Sequence, residues 1–203
     1  MITKLRQRLS KKLPGMKAHL KMTPYRSLVK TIPDNRREGA VLLLLYWKNN
    51  ELYFPLIQRN SYEGVHSNQV SFPGGKKEKF DADFFETAKR ETFEEIGVEQ
   101  SKIKFIGTLT DVYIPPSNFL VYAYIGIVEE NFNFKKDEKE VKEILEIPLS
   151  SILDENIVKE TNIKLTNGIN LKTPYFDLND KVVWGATAAI ISELKELIKT
   201  ISK

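Results

Sequence analysis

The residues with the most chemistry to offer are Glu91, Glu94 and Glu95, inside the run Arg90-Glu91-Thr92-Phe93-Glu94-Glu95-Ile96-Gly97-Val98. Their spacing of i, i+3 and i+4 crowds three carboxylates on one side of a helix, which costs an isolated helix about 0.2–0.5 kcal/mol per like-charged pair. A set of this kind is either well solvated or neutralised by a cation. Carboxylate oxygens are hard ligands, and Mg²⁺ is commonly held by few protein groups together with phosphate oxygens. A bound divalent ion lowers the pKa of a coordinated water and neutralises charge on a diphosphate. A carboxylate not spent on the metal can orient or deprotonate the attacking water. Arg90 is placed to anchor one of these acids by charge-assisted hydrogen bonds. Taken alone, the same residues equally describe an exposed acidic face, the usual fate of neighbouring glutamates.

Those acids need a helix of fixed register, and residues 82–96 read as one. Asp81 or Asp83 can cap it, Glu86 follows Asp83 at capping-box spacing, and Gly97 supplies the stop. Phe85, Ala88, Thr92 and Ile96 recur at helical spacing as its inward stripe. Upstream, Gln69–Phe72 reads as a short strand running into the turn Pro73-Gly74-Gly75. Residues 39–47 and 51–58 read as a hairpin on Asn49-Asn50. Two β-rich runs, 103–114 and 119–128, are separated by Pro115-Pro116-Ser117-Asn118, a rigid loop because proline cannot lie inside a paired strand. A charged, exposed stretch covers 129–140. A strand over 141–147, a short helical piece from Pro148, and strands around Asn167-Gly168 follow. Gly185–Ser202 is an amphipathic helix with Ala188, Ile191, Leu194 and Ile198 inward. The pattern is that of a mixed α/β domain.

Composition narrows the chemistry. The chain has 203 residues, 41% hydrophobic and 29% charged, the profile of one ordinary globular domain. With no cysteine, thiolate metal sites and disulfides are excluded, and His19 and His66 alone cannot make a multi-histidine zinc site. A metal here must sit on oxygen, which favours magnesium, manganese or calcium. The apolar run 40–47 is well short of the ~20 residues a membrane-spanning helix needs, so no transmembrane segment is expected. Gly74-Gly75-Lys76 lacks the rest of a phosphate-binding P-loop pattern. The net charge is +4, and every charged residue before Asp34 is basic. Residues 1–33 therefore form a basic arm, helical and amphipathic, with Ile2, Leu5 and Leu9 packing on a domain that spans 34–203. A polyanion or membrane-surface contact, or an organelle-targeting segment, are the alternatives for the arm. Nucleic acid is not expected as a partner, and the composition suits a cytoplasmic location.

The flanks of the acid helix add a resemblance. Gly75-x5-Asp81-x8-Arg90-Glu91-Thr92-Phe93-Glu94-Glu95-Ile96-Gly97-Val98 is similar to the Nudix box, G-x5-E-x7-R-E-U-x-E-E-x-G-U with U aliphatic. It departs from that box in having Asp81 one residue further from Arg90, and Thr92 for an aliphatic residue. Both departures resemble the coenzyme A diphosphatase branch, whose upstream signature is L-L-x-x-R-S-x5-H-x-G-x-V-x-F-P-G-G. The chain has Leu56-Ile57-Gln58-Arg59-Asn60 and then His66-Ser67-Asn68-Gln69-Val70-Ser71-Phe72-Pro73-Gly74-Gly75, with Asn60 and Asn68 as substitutions. The likeness continues through Tyr113–Phe119 and Val183–Thr187, and so covers about residues 38–200.

The resemblance implies a Nudix fold, an α/β/α sandwich around a mixed sheet. It also implies an Mg²⁺- or Mn²⁺-dependent hydrolase that cuts coenzyme A or acyl-CoA to 3′,5′-ADP and (acyl-)4′-phosphopantetheine. By position, Glu91 and Glu95 match metal ligands, Glu94 a further ligand or the water-activating base, and Gly75 an additional ligand through its carbonyl. Arg90 joins the catalytic set. Arg59, His66, Ser67, Gln69 and Ser117 match substrate contacts, and Asp81 is given no catalytic role. Other readings are a Nudix hydrolase of ADP-ribose, NADH or another nucleoside diphosphate derivative, and a non-catalytic nucleotide sensor. Retention of all three acids argues against the sensor. A homodimer is compatible with the sequence.

Overall fold

A strand that is apolar on both faces must be covered on both, and this requirement sets the architecture. The computed structural model describes residues 1–23, 31–60, 69–164, 168 and 170–201. Its central strand is β1 (Arg37–Lys48). On one face of β1, Ala40, Leu42 and Leu44 pack with Ala88 and Ile96 of helix α3 (Phe84–Ile96). On the other, Leu43 and Leu45 pack with Ala188, Ile191, Leu194 and Ile198 of helix α4 (Gly185–Ile201).

β1 runs antiparallel to β2 (Glu51–Arg59) through a tight turn in which Asn49 and Asn50 both have positive φ. It runs parallel to β7 (Phe119–Val128) along ten residue pairs, and antiparallel to the short strand β4 (Gly74–Lys76) at its start. β3 (Val70–Ser71) and β8 (Val141–Pro148) join β2, while β5 (Lys104–Thr108) and β6 (Val112–Ile114) join β7. The result is one mixed eight-stranded sheet between helices. A separate three-stranded sheet holds β9 (Val158–Lys164), β10 (Asn170–Leu178) and β11 (Lys181–Val183).

Two expectations change. The run 103–114 is two strands, because Leu109–Asp111 leave the sheet and Thr110 turns toward helix α4. The helix expected over 82–96 begins at Phe84, so Asp83 rather than Asp81 is its cap, accepting from the Glu86 N–H at 2.9 Å. Gly97 ends it in the left-handed conformation (φ 76°), as its type predicts.

The basic N-terminal segment folds into α1 (Ile2–Leu9) and α2 (Met16–Met22), and it does more than cover the surface. Leu5 and Met22 enter the main core. Leu9 lies over Gly107, where any Cβ would come within 2.8 Å of it. Deeper in, the fully buried Glu193 of α4 gathers four donors. Its Oε1 accepts from the Gly15 N–H (2.9 Å) and Thr110 Oγ1 (2.8 Å). Its Oε2 accepts from the Thr110 N–H (3.0 Å) and pairs with His19 Nε2 (3.1 Å). Burial works against the charge, but these hydrogen bonds outweigh it and hold the Glu193 carboxyl below the usual range. Removing one side of a buried network leaves its partners unsatisfied. Glu193→Ala is therefore expected to cost about 3 kcal/mol or more in chemical denaturation, and a loss under 1 kcal/mol would show that the network is dispensable.

Candidate active site

The site begins with two close approaches of backbone. Gly39 of β1 lies so near β4 that a Cβ there would sit 2.1 Å from the Gly75 carbonyl oxygen. Gly75 in turn lies against α3: a Cβ there would sit 2.5 Å from Glu91 Cδ and Oε1 and 2.6 Å from Oε2. Two glycines thus bring the β4 backbone and the Glu91 carboxylate into direct apposition, which no side-chain-bearing residue would allow.

Arg90 fixes the acids from beneath. Its Nε and Nη2 grip Asp81 in a fork, at 2.9 Å to Oδ1 and 3.0 Å to Oδ2. Its Nη1 donates to Glu91 Oε1 (2.9 Å) and Glu94 Oε2 (2.8 Å), and Nη2 also donates to the Lys76 carbonyl (3.1 Å). All five guanidinium donors are spent. Asp81 is buried behind this fork, where it also accepts from the Glu78 N–H and Thr87 Oγ1, both at 2.9 Å. The Arg90 hydrogen bonds hold the Asp81 carboxyl down to about 2 against the opposing effect of burial. Asp81 therefore orients Arg90, and both of its oxygens are already engaged.

Glu95 is 2% exposed. Its Oε2 accepts from the Gly74 N–H at 2.8 Å. Its Oε1 lies 2.9 Å from Arg59 Nη2 yet receives no hydrogen bond of good geometry; that nitrogen donates to the Gly74 carbonyl at 2.9 Å. Burial pushes the Glu95 carboxyl up to about 7, Arg59 and the Gly74 N–H pull against it, and Glu91 and Glu140 add to the rise. Burial likewise raises the Glu91 carboxyl, with Arg90 opposing and Glu94 and Glu140 reinforcing.

Glu140 is the acid that sequence reasoning passed over, as one more charge in an exposed stretch. Its turn is docked on the end of α3: the Lys135 N–H donates to the Ile96 carbonyl (2.9 Å) and the Asp137 N–H to the Glu95 carbonyl (3.0 Å). The Asn60 N–H donates to the Glu140 carbonyl at 2.9 Å, one residue after Arg59. Only the pairing of Arg59 with Val141 across β2 and β8 reveals this neighbourhood, and no spacing along the chain encodes it.

The remaining sequence candidates divide. Arg59, Gly75, Arg90, Glu91 and Glu95 come together. Glu94 is 53% exposed and is held only through Arg90. The Gln69 carbonyl accepts from the Arg59 N–H (3.0 Å), so this residue steadies the strand carrying Arg59. Ser117 is buried beside the start of β1, its hydroxyl donating to the Ile114 carbonyl (3.4 Å) and its carbonyl gripped by Arg37 (2.6 and 3.2 Å). It makes no hydrogen bond to the acid helix. His66 and Ser67 lie outside the described residues.

Among the described residues no three His, Asp or Glu side chains are gathered closely enough to form a ready-made metal cluster. The donors nevertheless suit a hard divalent ion: a buried Glu95 oxygen with no hydrogen-bond donor, and a Glu91 carboxylate laid against the Gly75 backbone.

Two outcomes follow from this packing. Asp81→Ala removes half of a buried fork and is expected to cost about 2 kcal/mol in thermal or denaturant unfolding. Because its folded pKa lies below the unfolded value, Asp81 stabilises the fold above about pH 4, an advantage lost as pH falls toward 2. A variant as stable as the parent at pH 7 would contradict this role. In Gly75→Ala the new methyl group displaces the end of the Glu91 side chain, a flexible neighbour. Divalent-ion affinity in calorimetric titration should fall at least tenfold while circular dichroism reports an intact fold, and unchanged affinity would remove this contact from the site.

Comparison with known proteins identifies the family and the fold. The NUDIX domain model matches residues 36–165. The Nudix hydrolase NudL of Yersinia enterocolitica is 33% identical over 164 residues, covering 81% of this chain and 83% of that protein. The NudL of Photorhabdus laumondii is 28% identical over 170 residues, covering 84% and 89%. Among solved structures, the Nudix hydrolase RenU from M. smegmatis aligns with a TM-score of 0.56 at 15% identity, over 82% of this chain and 88% of that one. The MutT protein from Methanosarcina mazei aligns at 0.52 and 16%, over 82% and 96%, so both share the fold. The chain belongs to the Nudix hydrolase family.

Proposed function

We propose that this Nudix hydrolase cleaves the diphosphate of coenzyme A or acyl-CoA, releasing 3′,5′-ADP and (acyl-)4′-phosphopantetheine, with residues 34–203 as the catalytic domain. The segment from Arg59 to Gly75 carries this reading. It resembles the coenzyme A diphosphatase signature apart from Asn60 and Asn68, and its first residue lies 2.9 Å from both Glu95 and the Gly74 carbonyl, next to the contact between Gly75 and Glu91. Glu91, Glu95 and the Gly75 carbonyl would hold Mg²⁺ or Mn²⁺, with Glu140 as a further acid beside them. When bound, the ion supplies a water of lowered pKa and neutralises charge on the diphosphate.

The chain's own groups do the rest. Glu94, exposed and aimed by Arg90, takes the proton of the attacking water as its oxygen bonds to phosphorus. The bridging oxygen leaves with its electron pair toward the other phosphate. Arg59, already turned to the β3–β4 end of the sheet, grips a substrate phosphate oxygen. His66, Ser67, Gln69 and Ser117 complete the substrate contacts in this proposal.

The test is a side-by-side product profile with coenzyme A, acyl-CoA, ADP-ribose and NADH, each with Mg²⁺ or Mn²⁺. Release of 3′,5′-ADP from coenzyme A is the expected result; intact coenzyme A beside consumed ADP-ribose or NADH sinks the substrate assignment. The paired Glu91→Gln and Glu95→Gln variant should lose at least a thousandfold in turnover while remaining folded.

A further inference from the structure

Phe80 is the most exposed large hydrophobic side chain among the described residues, at 76%. It does not owe this to a loose loop. Lys76 is paired with Gly39 in the sheet on one side of it, and Asp81 is locked to Arg90, Glu78 and Thr87 on the other. The chain therefore carries an exposed aromatic ring between two fixed points, Lys76 four residues before it and Asp81 one residue after. Its neighbour is Arg90, whose guanidinium carbon lies 5.6 Å from the ring centroid. The same guanidinium reaches Glu91 at 2.9 Å, so one side chain's width separates the ring from the candidate centre. Two exposed lysines flank it, Lys76 at the end of β4 and Lys79 in the loop.

A ring left in water contributes no core packing and presents a π-face that can stack on another flat surface. Every nucleobase has a π-face, and the substrates of this site carry a nucleoside on one side of a diphosphate. We propose that Phe80 is the stacking platform for the nucleobase of the substrate, with Lys76 and Lys79 receiving anionic oxygens on the nucleoside side. This rests on reading the site as a nucleoside diphosphate hydrolase, and it is indifferent to what lies on the other side of the diphosphate.

Base–aromatic stacking changes affinity by roughly five- to a hundredfold. The direct test is calorimetric titration of the full-length, metal-free protein with ADP and with 3′,5′-ADP. It is paired with kcat and KM for whichever of coenzyme A, ADP-ribose and NADH is turned over fastest. Phe80→Ala should weaken ADP binding and raise KM about tenfold with kcat within twofold. Phe80→Trp should restore both, and the melting temperature should not fall in either. If Phe80 instead shields the Arg90 fork, Phe80→Ala will lower kcat and the melting temperature and leave ADP affinity unchanged, which overturns the proposal. Failure of the parent protein to bind either nucleotide at millimolar concentration overturns it too. Intact coenzyme A alongside ADP binding that depends on Phe80 would defeat the substrate assignment and leave the platform standing.

Discussion

Arg90 has five hydrogen-bond donors, and the geometry of the site is the set of five acceptors they meet. Two of those acceptors belong to Asp81, which lies nine residues earlier and is itself tied to a backbone amide and a threonine hydroxyl. One belongs to β4 and two to the acids of α3. The guanidinium therefore joins three structural elements with directed bonds, and an ammonium group could not replace it. Without the fork, Glu91 and Glu94 would lose the cation that holds them together on one side of the helix. With it, one is fixed half-buried, one is aimed outward, and Glu95 is left to be restrained by the strand that carries Arg59.

Glu95 shows what such an arrangement costs. A carboxylate in the interior, with one oxygen lacking a donor and a second acid nearby, is unfavourable for the fold by itself. The protein tolerates it through the Gly74 N–H and the Arg59 guanidinium, neither of which satisfies Oε1 completely. Glu193, equally buried, differs in that both of its oxygens accept hydrogen bonds.

Local signals in the sequence were sufficient for the elements that obey local rules. Capping at Asp83 and termination at Gly97 depend on neighbours within four residues, as does the Asn49-Asn50 turn. The apolar run at 40–47 forms a strand that is covered as far as Tyr46, with Trp47 half exposed. The acid helix and the Gly-Gly turn, too, were visible as a motif. Hidden were features created by pairing distant segments: Glu140 beside Arg59, Asp81 as the support of Arg90 instead of a helix cap, and the departure of Thr110 from its strand toward Glu193. The first twenty-three residues were legible in part: their pattern set Ile2, Leu5 and Leu9 against the domain, as found, but the burial of Met22 and the pairing of His19 depend on surfaces supplied by distant segments.

That dependence has a consequence for how the protein is made. His19 and Glu193 are 174 residues apart, and nothing formed earlier in synthesis can substitute for the α4 surface. The N-terminal helices, with 8 and 7 residues, are too short to persist alone in water. Residues 1–23 thus settle only once α4 has been made, and closing so large a loop is slow. A chain lacking α4 would carry a basic, partly apolar segment with nowhere to lodge, so loss of residues 1–23 or of α4 disables the same structural unit.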